Sequence, residues 1–313
     1  MTSQTLLLKV EDYLAVRRGL GFELKSAEKD LRQFVRYAGR VGHQGPLTTD
    51  LAVAWARLSR SADPAQAAKR LVTVRAFARY LTALDPATEV PPLGLLGPLP
   101  RRRQPHIYSD TEIAALLARA RGLLPRRGLR PRTYVTLFAL LVSTGLRLSE
   151  ACHLQPDDMD LADGVITVRQ GKFRRARLVP LHPTTTQALN CYADEHGVAL
   201  SGYFFRTDHA PALKPDTVQK TFSRLRTRLG WTAEGRARLP RVHDLRHTFA
   251  VRRLLRWHAA GVDLDRKMLA LSTYLGHAKP SHTYWYLEAV PELMAITAER
   301  FEHFARQPLE GAS

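Results

Sequence analysis

Between Asp85 and Gln104 the chain carries Pro86, Pro91, Pro92, Pro98 and Pro100 together with Gly94 and Gly97. Proline lacks a backbone N–H and fixes φ, and glycine weakens helices and strands alike, so a regular element is not expected to run through this stretch. Compact structure must then form on either side of it. Residues 89–107 read as an extended linker, dividing a domain over 1–88 from a second over 108–313. A strap of this kind could carry the chain from one side of a ligand to the other, and Arg101, Arg102 and Arg103 on it would suit a phosphate backbone.

Upstream of the linker, apolar residues recur at helical spacing in four segments. Leu6, Leu7, Val10, Tyr13 and Leu14 mark a short helix over 5–18, and Ala27, Leu31, Phe34, Val35 and Ala38 mark a second that starts at Ser26. Leu51 to Leu58, capped by Thr49 or Asp50, is the third. The fourth opens at Asp63-Pro64, carries Leu71, Val74, Phe77, Ala78 and Leu81 on one face, and runs to about Leu84. The expectation is one four-helix bundle, with Lys69, Arg70, Arg75 and Arg79 exposed as a cationic face.

Downstream, Ser109 and Glu112 have the spacing of a capping box and open a helix to about Ala120. Arg132 to Ser143 is an almost wholly apolar helix suited to the centre of a domain, and Gly145 then permits a sharp turn that leaves Arg147 at the start of the next helix. Gly164–Val168 and Arg177–Leu181 read as two strands around a cationic tip, Gln170-Gly171-Lys172-Phe173-Arg174-Arg175. Helices are expected near 184–196, 216–229, 243–260, 264–274, 281–287 and 291–306.

Lys and Arg number 47 against 29 Asp and Glu, a formal charge of +18 that is spread along the chain, so a polyanion is the expected partner. Cys152 and Cys191 lie far apart and form no C-x-x-C pair, which argues against a zinc site or a disulfide framework and fits the cytoplasm. The run Leu6-Leu7-Leu8 stops at Lys9, too short for a signal peptide, and no segment approaches the length of a membrane span.

The chemistry concentrates between Arg241 and Tyr286. On a helix, His243 and Arg246 lie three residues apart and present their donors on one face. Between His277 and Tyr286 there is no acidic residue, while Lys279 and His282 add cationic or donor character, which is how a phosphate would be surrounded. A tyrosine ending such a run can serve as a nucleophile, because cationic neighbours lower the cost of ionising a phenol whose free pKa is about 10.

Thr144-Gly145-Leu146-Arg147-Leu148-Ser149-Glu150, Gly171-Lys172 before Arg177-Leu178-Val179-Pro180-Leu181, His243-Asp244-Leu245-Arg246-His247, Leu275-Gly276-His277 and Tyr286 together resemble, in order and spacing, the successive signatures of the tyrosine recombinases, the phage integrase family. The resemblance covers about residues 108–290. It implies a mainly α fold with a small β-hairpin or sheet. In that fold a four-helix core-binding domain and a mixed α/β catalytic domain close as a C-shaped clamp on double-stranded DNA. Carried over by motif, Arg147, Lys172, His243, Arg246 and His277 would activate the phosphate, Glu150 would brace the site, and Tyr286 would be the nucleophile. Lys69, Arg70, Arg75, Arg79, Arg101, Arg102, Arg103, Arg174 and Arg175 would contact DNA. The helix over 291–306 would dock on a neighbouring subunit, making a homotetramer on paired sites from a protomer that is monomeric in free solution; the alternative is that it folds back on its own domain.

These residue types answer the needs of strand exchange. A tyrosyl phosphodiester preserves the energy of the broken bond, which attack by water would discard. Two guanidiniums clamp the non-bridging oxygens of the transition state, a part that Arg147 and Arg246 would take. The departing 5′ oxygen needs a proton that arginine cannot give and lysine can, which assigns Lys172 as general acid. His243 would accept the tyrosine proton or bond the phosphate, and His277 would donate to the same oxygens. Neither a metal nor another cofactor is called for, since cationic side chains occupy the places a metal would take. Competing readings are a non-catalytic architectural DNA-binding protein, a type IB topoisomerase, and a metal-dependent nuclease using His243 and His247. The Tyr-Trp-Tyr run at Tyr284–Tyr286 is similar to recombinases borne on transposons.

Overall fold

A computed structural model describes residues 2–59, 63, 65–99, 104–169, 176–196, 202–233, 239–277, 279–289 and 293–294. The chain forms two compact units, Met1–Arg102 and Arg103–Ser313.

The first unit holds α1 (Ser3–Gly19), α2 (Lys25–Arg40), α3 (Thr49–Arg57) and α4 (Ala65–Leu81). Their apolar faces meet in one core, where Tyr13 and Phe77 pack edge to face at 5.6 Å and Phe34 meets Trp55 at 5.5 Å. Three boundaries differ from the expectation. The first helix is not short, because Thr2 accepts a hydrogen bond from the Thr5 backbone N–H and caps it two residues upstream. Thr48, extended at φ −107°, caps α3 by accepting from Leu51 N–H at 3.3 Å, so Thr49 and Asp50 already lie within the helix. The fourth helix stops at Leu81, where the chain tightens into turns.

Arg70 is a further correction. It is buried at 9% exposure, not exposed, because α4 turns it onto the face of Trp55, with its guanidinium 3.9 Å from the ring centre. Arg75 is half-buried and donates to the Pro91 carbonyl, while Lys69 and Arg79 are exposed. Val90 and Leu96 pack against the bundle core, so the start of the proline-rich stretch lies on this unit.

The second unit is built around α6 (Leu129–Thr144), which packs against α5 (Asp110–Arg121), α8 (Pro183–His196) and α10 (Asp244–Ala259). Ser109 and Glu112 form the capping box of α5, as their spacing implied. Short α7 (Leu148–Cys152) follows α6 directly. Strands β1 (Met159–Asp160), β2 (Val165–Val168) and β3 (Arg177–Pro180) form an antiparallel sheet in the order β1-β2-β3. In it Met159 faces Ile166 and Ile166 faces Val179. The third strand was not visible in the sequence, because two residues carry no period. The unit continues with α9 (Pro215–Arg228), α11 (Leu264–Leu275) and α12 (Ser281–Ala289). The hairpin tip at 170–175 lies outside the described residues, as does the helix expected over 291–306 except for Leu293 and Met294. Among the described residues no helix is long and apolar enough to cross a membrane.

Gly145 ends α6 in the left-handed region, at φ 66°. A Cβ there would lie 2.5 Å from Phe249 Cδ1 and 3.2 Å from Leu275 Cδ2. Gly145→Ala should therefore incur both the left-handed penalty of roughly 1–2 kcal/mol and an overpacking cost of about 1–3 kcal/mol. Gly261 has the same φ of 66° but nothing within 4 Å of an added Cβ, so Gly261→Ala should show the first cost alone. Denaturant unfolding of the two variants measures the difference, and equal losses would show that Phe249 yields without cost.

Candidate active site

Two helix ends meet at the site. Helix α6 stops at Gly145 and α11 stops at Gly276, both glycines left-handed, at φ 66° and 64°. A helix C-terminus leaves carbonyls without intrahelical partners and carries partial negative charge. Here those carbonyls receive arginine. Arg246, on α10 and 2% exposed, donates Nη1 to Gly145 O at 2.7 Å and Nη2 to Leu275 O at 2.6 Å. Arg147 donates Nη2 to the carbonyl of Gly276. A Cβ on Gly276 would stand 3.0 Å from Arg177 Nη1 and 3.3 Å from Arg147 Nη1, so this glycine also leaves room for the guanidiniums.

Glu150 binds this group together. Its Oε1 accepts from Arg147 Nη1 at 2.6 Å and its Oε2 from the Arg147 backbone N–H at 2.9 Å. Arg177, at the start of β3, donates Nη2 to Oε2 at 2.7 Å and Nη1 to Oε1 at 3.0 Å, and donates Nε to Tyr274 O at 2.8 Å. Burial alone would raise the Glu150 carboxyl, but the hydrogen bonds and charge of Arg177, joined by Arg147, overcome it and hold the group down at about 2. It is ionised at neutral pH. For Arg246 burial acts first and nearby Arg147 adds to it, pushing the guanidinium down to about 10, while Tyr286 and Glu150 pull the other way. It still carries its charge near neutrality. Three guanidiniums against one carboxylate leave an excess of positive charge suited to an anion. Arg177 was missed as a site residue, since from the sequence it is one more polar position in a strand.

Tyr286 lies in α12, 1% exposed, with its hydroxyl 2.9 Å from His247 Nδ1. Its ring lies 5.5 Å from that of His247 and 6.4 Å from that of His277, centre to centre. His277 Nδ1 is 2.7 Å from Thr283 Oγ1, which ties the start of α12 to the end of α11. His243 stands at the head of α10 with its ring 4.9 Å from His247, edge on. Tyr284, two residues before Tyr286, is 42% exposed. Arg147, Glu150, His243, Arg246, His277 and Tyr286 thus all belong to the second unit, and His247, which the sequence put forward only as a partner of His243 in the competing nuclease reading, stands against the tyrosine oxygen. Its signal was the i, i+4 spacing from His243, which cannot say which imidazole the tyrosine meets. Lys172, Arg174, Arg175, Arg101, Arg102 and Arg103 lie outside the described residues. Among the described residues no three His, Cys, Asp or Glu side chains gather as a metal site would require.

On the first unit, an open groove of about 990 Å³ is lined by Lys29, Gln33, Arg36, Arg40 and Gln66, with Trp55 and Arg70 in its wall. Among the described residues Arg70 Nε has no hydrogen-bond partner. Lys69, Arg75 and Arg79 do not line this groove.

Comparison with known proteins gives the family. Residues 111–292 match the phage integrase family. The chain is 40% identical over 303 residues to the putative integrase/recombinase y4rB of Sinorhizobium fredii (strain NBRC 101917 / NGR234), covering 94% of this chain and 96% of the relative. It is 31% identical over 300 residues to the tyrosine recombinase XerD of Bradyrhizobium diazoefficiens, covering 90% and 91%. A solved structure of the Tn1549 transposon integrase in complex with a circular intermediate DNA shares the fold, with a TM-score of 0.67 at 18% identity over 96% of this chain and 99% of that one. The chain belongs to the phage integrase family, the tyrosine-type site-specific recombinases.

Proposed function

We propose that this recombinase cuts and rejoins duplex DNA through a 3′-phosphotyrosine intermediate formed by Tyr286, without metal or ATP. The observation that carries the reading is the placement of the Tyr286 hydroxyl against an imidazole, beside arginines whose guanidiniums are held by two helix ends. Arg246 and Arg147 take the non-bridging oxygens of the scissile phosphate. A guanidinium has five N–H donors, and the two carbonyls on Arg246 engage only two of them. Glu150, itself fixed by Arg177, holds Arg147 in place, so little reorganisation is needed as charge develops. His277 donates to the same oxygens, and Lys172 protonates the departing 5′ oxygen.

Both units bind the DNA, and Arg101, Arg102, Arg103, Arg174 and Arg175 add contacts to its phosphates. Exposed Lys69 and Arg79 meet the phosphate backbone, as do groove residues Lys29, Arg36 and Arg40. The protein works in the cytoplasm, and the segment 291–306 joins four protomers on paired sites. Its resemblance to transposon-borne recombinases favours transposition or integration as its setting.

The test uses DNA fragments recovered crosslinked to the protein in its host, rebuilt as duplexes carrying a nick beside the cleavage position so that the cut end diffuses away. In EDTA, such a duplex should become attached to the protein through its 3′ phosphate in a form that survives denaturant. DNA that is bound specifically but never attached would leave a binding protein and would overturn the reading.

A further inference from the structure

We infer that His247, rather than His243, is the general base that takes the proton from Tyr286. The inference rests on the strand-transfer reading above and adds to it a catalytic residue.

The geometry is a relay of three buried groups. Tyr286 Oη is 2.9 Å from His247 Nδ1, and His247 Nε2 is 3.9 Å from Asp244 Oδ1. Tyr286, His247 and Asp244 are 1%, 5% and 1% exposed. Asp244 is itself fixed, accepting from Arg241 Nη2 at 2.9 Å and from the Arg241 backbone N–H at 2.8 Å. A carboxylate facing Nε2 favours the tautomer with the proton on that nitrogen, which leaves the Nδ1 lone pair to accept the tyrosine hydroxyl. At 3.9 Å the carboxylate is beyond hydrogen-bond range, and its contribution is electrostatic: it stabilises the imidazolium that forms when Nδ1 is protonated. The spacing explains why the second histidine is reached. His243 and His247 are one turn apart on α10, and His247 is the one on which the Tyr286 ring rests, with Trp285 on the same imidazole at 5.9 Å. His243 stands at the helix head.

In the forward step Tyr286 Oη forms a bond to phosphorus and its proton passes to His247 Nδ1. The bond from phosphorus to the 5′ oxygen breaks, and that oxygen takes a proton from Lys172. On rejoining, the 5′ hydroxyl attacks phosphorus, its proton returns to Lys172, and His247 returns its own to the released tyrosine. No oxidant or co-reactant is needed.

The experiment follows adduct formation in single turnover on a duplex whose scissile 5′ oxygen is replaced by sulfur. Sulfur leaves without protonation, so the acid's part is removed and the base's part remains. His247→Asn keeps an acceptor where Nδ1 stands but cannot carry a proton. It should bind DNA as the wild type does and form the adduct about 100- to 10,000-fold more slowly. A slowing of less than about tenfold would overturn the assignment. Should this variant fail to bind DNA, the wild type and His243→Asn decide. The described titratable groups facing His247 include Asp244 and His243 from α10 and Tyr286 from α12. In both proteins the rate should rise with pH as an imidazole loses its proton. A rate level with pH in the wild type, or a rise abolished by His243→Asn, would overturn the proposal. Absence of any adduct with the wild type would overturn the strand-transfer reading, and this inference with it.

Discussion

Tyr286→Phe should abolish the covalent protein–DNA adduct and leave DNA binding intact. The change removes one oxygen from a ring that is 1% exposed, and the α12 core contacts of that ring remain. The lost hydrogen bond to His247 contributes about 1 kcal/mol to stability, which folding can absorb, whereas without the nucleophile there is no covalent step to accelerate. Adduct formation on the nicked duplex should fall below detection, while a gel-shift titration should superimpose on that of the wild type. Tyr284→Phe is the control: that side chain is 42% exposed, and its adduct yield should be unchanged. If Tyr284→Phe loses the adduct and Tyr286→Phe keeps it, the nucleophile is two residues upstream of its assigned place.

Arg246→Lys should slow adduct formation by about 100- to 1,000-fold with little change in DNA affinity. The conservative label on this exchange is misleading. Arg246 spans two carbonyls from two different helices, Gly145 O and Leu275 O, with the two ends of a planar fork. A lysine has one compact nitrogen and cannot reproduce that fork. One carbonyl would lose its donor in a buried setting, at a cost of about 1–3 kcal/mol, and the phosphate would lose a two-point clamp. On the proposed reading affinity comes from many backbone contacts, so it should barely register the change. A lysine variant cleaving within about tenfold of the wild type would remove Arg246 from the transition-state clamp.

Local features of the sequence were sufficient for the mainly helical fold, the β2–β3 hairpin and the family. Helical periodicity, the Ser109/Glu112 capping box, and glycines that end α6 and α11 just before Arg147 and His277 are each written in a few consecutive residues. Each acts through backbone conformation or through one helix face, so neighbours in sequence suffice to read them. What tertiary structure alone decided are the contacts between segments far apart in the chain. Glu150 pairs with Arg177, twenty-seven residues on; Arg246 reaches back one hundred and one residues to Gly145 O; and Tyr286 meets the second of two histidines, thirty-nine residues before it. Arg70 is another such case: helical phase places it at the edge of the apolar face, and only the position of Trp55 on another helix makes that edge a buried one. The physical reason is common to all four. Local hydrogen bonding specifies which way an element runs and where it stops, but the partner of a side chain is set by which elements pack together, and that depends on burying apolar surface across the whole unit.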